Sequence, residues 1–209
     1  MKAIVMLLAV LIFSANSVFA TEASFSATYS ATLAPTGNDI GVSKITPDSF
    51  FYFLKTVREN IEMKLAFTPH VKLIRQLEFA TRRLRETKSL VGDREDLIPP
   101  TLERYWSYIN SLPDKDLEDE EVAVRIKETL TVHLEVLEQI YDKITNKRAK
   151  MSIRATVNRI VQRLDVPIFA RFPACTFLEK EATSSALTEP ERQILIERAN
   201  SCFKEINLR

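Results

Sequence analysis

Three glycines in 209 residues, Gly37, Gly41 and Gly92, limit what this chain can fold into more than any other feature. An average chain of this length holds about fifteen. Tight β-hairpin turns depend on residues that reach positive φ, chiefly glycine, so an antiparallel sandwich is not expected. Phosphate cradles are excluded by the same scarcity: no G-x-G-x-x-G and no P-loop occurs. Hydrophobic residues make up 45% and charged residues 27%, which is enough apolar surface for a folded core.

Helical signals fill the space that turns leave. Thr46-Pro47-Asp48 has a hydroxyl cap, a proline suited to a first helical position and an acid after it. Phe50, Leu54, Val57, Ile61 and Leu65 follow at helical spacing and predict a core-facing stripe. In Phe50-Phe51-Tyr52-Phe53, Phe50 and Phe53 fit that stripe, which leaves Phe51 or Tyr52 outside. Thr68-Pro69 opens a second helix with Ile74, Leu77, Thr81 and Leu84 inward, ending near Gly92. A third is expected from about Thr101 to Leu112, after a connector closed by Pro99-Pro100. The fourth should be the longest, opening in the acidic run Asp114 to Glu121 and reaching Asn146, a rod of about 45 Å. A fifth carries Ile153, Val157, Ile160 and Leu164 inward. After a break over Asp165 to Pro173, two short helices close the chain, the last behind a Thr188-x-x-Glu191 capping box. Short connections between helices predict antiparallel hairpins.

The first twenty residues have a different character. Lys2 precedes an apolar run, Ile4 to Phe13, then a polar break and Val18-Phe19-Ala20. A charged start, a short apolar core and a small-x-small end predict a secretory signal cut between Ala20 and Thr21. The run is too short to span a bilayer, no later run is long enough, and no cysteine lies at the cut for a lipid anchor. Residues 21–44, rich in Ser, Thr and Ala, read as a mobile linker with room for a short strand at Phe25 to Tyr29. Without the signal the chain has 28 basic and 28 acidic residues, a balance that argues against a nucleic-acid partner.

Candidate chemistry is sparse. Cys175 and Cys202 sit on the two last helices, where an oxidising compartment favours a disulfide. Two buried thiols, or a nucleophilic cysteine, are the alternatives. His70 and His133 read as surface or boundary residues, since no zinc ligand set or H-E-x-x-H accompanies them. The acidic run fails as a calcium loop: position six is Asp119 and position twelve Arg125. Its acids instead suit a helix N-terminus. Basic residues cluster at Arg75, Arg82, Arg83, Arg85 and Lys88, and again at Lys147, Arg148, Lys150, Arg154, Arg159 and Arg163. They read as solvated faces paired with neighbouring Glu, with anionic polymers or lipid heads as the alternative. No nucleophile elbow or Ser/His/Asp spacing is present.

Ile45-Thr46-Pro47-Asp48-Ser49, Tyr52-Phe53-Leu54-Lys55, Leu77-Glu78-Phe79-Ala80 and Arg83-Leu84 occur in an order that resembles domain of unknown function 5667. His133-Leu134-Glu135-Val136-Leu137 and Ala149 to Ile153 resemble that family's later helix pair, so the resemblance runs over about residues 45–164. It implies an exported, all-helical bacterial domain and supplies no functional residues.

The expected protein is all-α, built of antiparallel helical hairpins in a bundle-like or elongated domain, with a disulfide-pinned C-terminal hairpin. The expected division is a signal at 1–20, a linker at 21–44, a helical domain at 45–164 and a two-helix segment at 165–209. The expected function is a secreted or periplasmic, non-enzymatic module that binds another protein or associates with the envelope, as a monomer or weak self-associate. No catalytic, cofactor or metal site is expected. A small extracytoplasmic hydrolase, or an ion or ligand sensor, is the alternative.

Overall fold

In the computed structural model, residues 40–113, 119–184 and 187–207 are described. They form seven α-helices and one 3-10 turn, with no strand among them. Helix α1 is Tyr52–Lys64, α2 Pro69–Ser89, α3 Ile98–Asn110 behind the turn Glu95–Leu97, α4 Glu120–Tyr141, α5 Lys147–Val161, α6 Ile168–Ala182 and α7 Glu189–Asn207. The proposed signal, its cut at Ala20 and Thr21, and the strand at Phe25 to Tyr29 lie outside the described residues.

Local chemistry sets most of the boundaries. The Thr68 hydroxyl accepts the Val71 N–H at 3.2 Å, with Pro69 at the first helical position. Asp119 accepts the Val122 N–H at 3.1 Å and opens α4, with Glu120 and Glu121 in its first turn. These acids complement the helix dipole, as expected; Asp114, Asp116 and Glu118 are outside the described residues. Asn146 accepts from the Ala149 N–H at 3.1 Å and so starts α5 rather than extending α4. Gly92, at φ +89°, turns the chain after α2. Glu191 accepts the Thr188 N–H at 2.8 Å in the capping box of α7.

Four expected boundaries are corrected. Thr46 gives its hydroxyl to Asp48 at 2.5 Å instead of capping, so residues 46–51 form turns and α1 begins at Tyr52. α3 begins at Ile98, because its first turn needs no N–H from Pro99 or Pro100. α4 stops at Tyr141 after 22 residues. α6 begins at Ile168 and takes Pro173 inside it. Pro173 and Phe169 are exposed, so the carbonyl that loses its partner lies on the solvent side.

The core is built from the predicted stripes of α2 to α7. Leu77 and Leu84 of α2 join Leu102, Tyr105 and Ile109 of α3, then Ile126, Leu130, Leu134 and Leu137 of α4. Ile153, Val157 and Ile160 of α5 complete this part. Leu164, expected inward, is exposed past the end of α5. α6 and α7 pack on each other and on α5, with Leu178, Leu195 and Ala199 inside. Cys175 and Cys202 are joined there by a disulfide, with Cα atoms 5.7 Å apart.

Buried charges hold the ends together. Arg163 grips Asp165 at 3.0 and 2.7 Å and donates to the carbonyls of Ile109 at 3.0 Å and Pro113 at 3.1 Å, closing the C-terminus of α3. Glu95 accepts the N–H groups of Thr145 at 3.0 Å and Asn146 at 2.6 Å, which ties the 3-10 turn to the α4–α5 corner. Residues 40–44, at the end of the proposed linker, are also fixed. Ile40 is buried in the core, and the Ser43 N–H donates to Ser89 at 2.8 Å.

Candidate functional site

Helix α1 is mounted with its polar side inward. Lys55, Glu59 and Glu62 follow one another at helical spacing with Tyr52, and this row faces Arg82, Arg83 and Glu86 of α2. Arg83 is buried and holds Glu86 at 2.6 and 2.7 Å, Glu59, and the Tyr52 hydroxyl. Lys55 reaches Glu86 at 2.5 Å, and Arg82 reaches Glu62 at 2.9 Å. Arg104 of α3 donates to the Tyr52 hydroxyl at 2.7 Å. Burial, with Glu86 adding to it, pushes the Tyr52 phenol up to about 12, so it stays protonated. Burial opposes the Arg83 charge, but Glu86 and Glu59 outweigh it and raise its pKa.

The apolar stripe consequently faces out. Phe50 is 85% exposed, Leu54 51%, Ile61 52% and Phe67 84%, and Phe51, Phe53, Val57 and Leu65 are exposed with them. This overturns the expectation of core filling for Phe50 and Phe53: Tyr52 is the member of the aromatic run that turns inward. The helical period holds, but it does not say which side of an amphipathic helix its neighbour will take. Here α2 offers α1 arginines and a glutamate, so the charged side docks.

Beside this ridge lies a cleft of about 570 Å³ between residues 42–45, α1 and α2. Val42, Ile45, Phe51 and Leu54 form its apolar part, while Lys44, Lys55, Arg58, Arg82 and Arg85 make it basic. No carboxylate lines it. Arg85 gives its Nε–H to the Ile40 carbonyl, and burial, then the neighbouring Arg82 charge, lowers its pKa. Across residues 40–89 there are ten Lys and Arg against five Asp and Glu, a net of +5 in a chain that is +1 in all.

The other candidates resolve as structure. His133 is fully buried, not at a boundary. Its Nε2 meets the Thr81 hydroxyl at 3.0 Å and its Nδ1 the Tyr105 hydroxyl at 3.1 Å, which joins α4 to α2 and α3. Burial, and then Arg85, depress its pKa to about 3. His70 is exposed and bonds Asp119 at 2.6 Å. Among the described residues no three His, Cys, Asp or Glu side chains group as metal ligands. Several of the basic residues pair across helices rather than along one solvated face. Arg159 meets Glu103 at 3.0 Å and Arg154 meets Glu181 at 3.4 Å. On α4, burial and the neighbouring Glu135 and Asp142 push Glu138 up to about 6.

The Arg83 network was missed at the level of sequence. Its signal was present: Lys55, Glu59 and Glu62 on one face of α1 complement Arg82, Arg83 and Glu86 on the next helix.

Residues 44–147 match the family model described as Domain of unknown function (DUF5667). The start agrees with the resemblance within a residue, and the match ends at the first residue of α5, short of the expected 164. No curated protein and no solved structure matches the chain significantly. No described helix is long and apolar enough to cross a membrane.

Proposed function

From a chain that carries a DUF5667 domain, we propose a non-enzymatic, envelope-associated binding module that docks through the outward face of α1. One observation carries this reading. An amphipathic helix spends its polar side on a buried ion network and leaves Phe50, Leu54, Val57, Ile61 and Leu65 in solvent. Contiguous exposed apolar surface of this kind marks interaction sites in soluble proteins. Export fits the reading. The Lys2 to Ala20 layout supports a cleaved signal, and the disulfide suits an oxidising compartment. The hydrolase alternative draws no support from the cleft, which is basic and lacks paired acids.

Retention on isolated envelope tests the reading. The full chain should co-sediment with a washed envelope fraction, and Leu54→Ser with Ile61→Ser should release it while leaving the circular dichroism spectrum unchanged. Equal retention of both proteins would remove α1 as the docking element. Amino-terminal sequencing of the exported product tests the signal, with Thr21 as the expected first residue.

A further inference from the structure

We propose that the outward face of α1, together with the basic cleft beside it, seats this protein on a bilayer surface rich in anionic phospholipid. The inference rests on the reading of α1 as the docking element and names what it docks to.

Charge points first to this occupant. The +5 of residues 40–89 is local, because residues 90–209 carry 18 basic against 21 acidic side chains. The charges also stand where a lipid surface would meet them. Lys44, Arg58 and Lys64 are exposed around the apolar ridge, and Arg58 and Arg85 line the adjoining cleft. Of the acids near them on α1 and α2, Glu59 and Glu86 are held in the interior by Arg83 and Lys55. Glu62 pairs with Arg58 at 3.1 Å and Arg82 at 2.9 Å without lining the cleft, so the local excess rests on Lys44, Lys64 and Arg85. An anionic headgroup approaching the cleft therefore meets cations and no lining carboxylate.

Shape points the same way. The exposed apolar residues form a ridge along a helix, with Phe50, Phe51 and Phe53 at one end and Phe67 at the other. A ridge of apolar side chains flanked by cations can sink into the boundary between headgroups and acyl chains, with the adjoining cleft left to a headgroup. Helices that lie in that plane combine Phe and Leu on one side with Lys and Arg at the flanks. Here the helix is already folded and its orientation is fixed by Arg83, Glu59 and Glu86, so binding carries no cost of ordering α1.

Co-sedimentation of the full chain with vesicles tests this. Equal mixtures of phosphatidylglycerol and phosphatidylcholine are compared with phosphatidylcholine alone. Partitioning should be at least about tenfold stronger on the anionic vesicles and should weaken as salt shortens the Debye length. Leu54→Ser with Ile61→Ser should weaken it by a further factor of about ten or more. Both side chains are exposed, so the fold should survive, and circular dichroism checks that. The apolar run Ile4 to Phe13 belongs to the same chain. Binding that persists in the double variant would belong to that run and overturn the inference, as would equal binding to both vesicle types. A dimer dispersed by the same substitutions would also overturn it, in favour of a second copy on the ridge. Indifference to vesicles, with envelope retention abolished by protease treatment of the envelope, would discard the lipid and keep the docking role. If the double variant stayed on the envelope as well, both would fall.

Discussion

At the scale of single residues, Arg83 and His133 decide the most. Arg83 is buried between Glu59 and Glu86. Removing a buried ion partner leaves desolvated charge behind, and typically costs about 3–5 kcal/mol. Arg83→Met should therefore lower the urea midpoint strongly. Replacing Glu59 and Glu86 with Leu in the same chain should recover part of the loss, because no orphaned carboxylate then remains. His133 is neutral in the folded chain down to about pH 3, whereas an exposed histidine takes its proton near 6.5. Between those values the unfolded chain binds the extra proton. Its contribution is whole above pH 6.5 and falls as pH drops, by about 1.4 kcal/mol per unit. His133→Gln should flatten the pH dependence of stability in that window, measured by denaturant melts from pH 7 to 4. The sequence placed His133 beside Leu134 on a long helix but could not show that Thr81 and Tyr105 would meet both its ring nitrogens. That pairing depends on three helices at once.

At the scale of elements, the helices were legible wherever capping chemistry and stripe agreed. Thr68-Pro69 and Thr188-x-x-Glu191 mark starts that the structure keeps. Thr46-Pro47-Asp48 misled because Asp48 took the Thr46 hydroxyl, a contact between two side chains that no cap rule includes. The inverted mounting of α1 was illegible for a different reason. Its outcome depends on whether α2 presents grease or charge at the contact, and α2 presents Arg82, Arg83 and Glu86. α4 offers a test of its own. Glu138 ionises near 6 in the folded chain instead of 4.5, so the folded state is favoured below 4.5 and loses that advantage as pH rises to 6. Glu138→Gln should raise the melting temperature at pH 7 and leave it nearly unchanged at pH 4. An equal effect at both values would mean that packing, not charge, sets it.

At the scale of the folded unit, one core runs through α2 to α7, and the disulfide joins its last two helices across 27 positions of sequence. On the chain-entropy view such a link stabilises by about 3–4 kcal/mol. Cys202→Ser, or a reductant, should lower the thermal midpoint accordingly, and mass spectrometry should show the loss of the bridge. Two cysteines placed on the last two helices, with an oxidising compartment expected, make this pairing legible in the sequence. α1 is attached to that core on other terms. Nonpolar area newly wetted is what gives unfolding its positive heat-capacity increment, and wetted polar area subtracts from it. The nonpolar side of α1 is wet from the outset, so peeling the helix away hydrates mainly Tyr52, Lys55, Glu59 and their partners. A calorimeter should register almost no heat-capacity step for that event, even when every amide in the helix has begun to exchange with solvent deuterium.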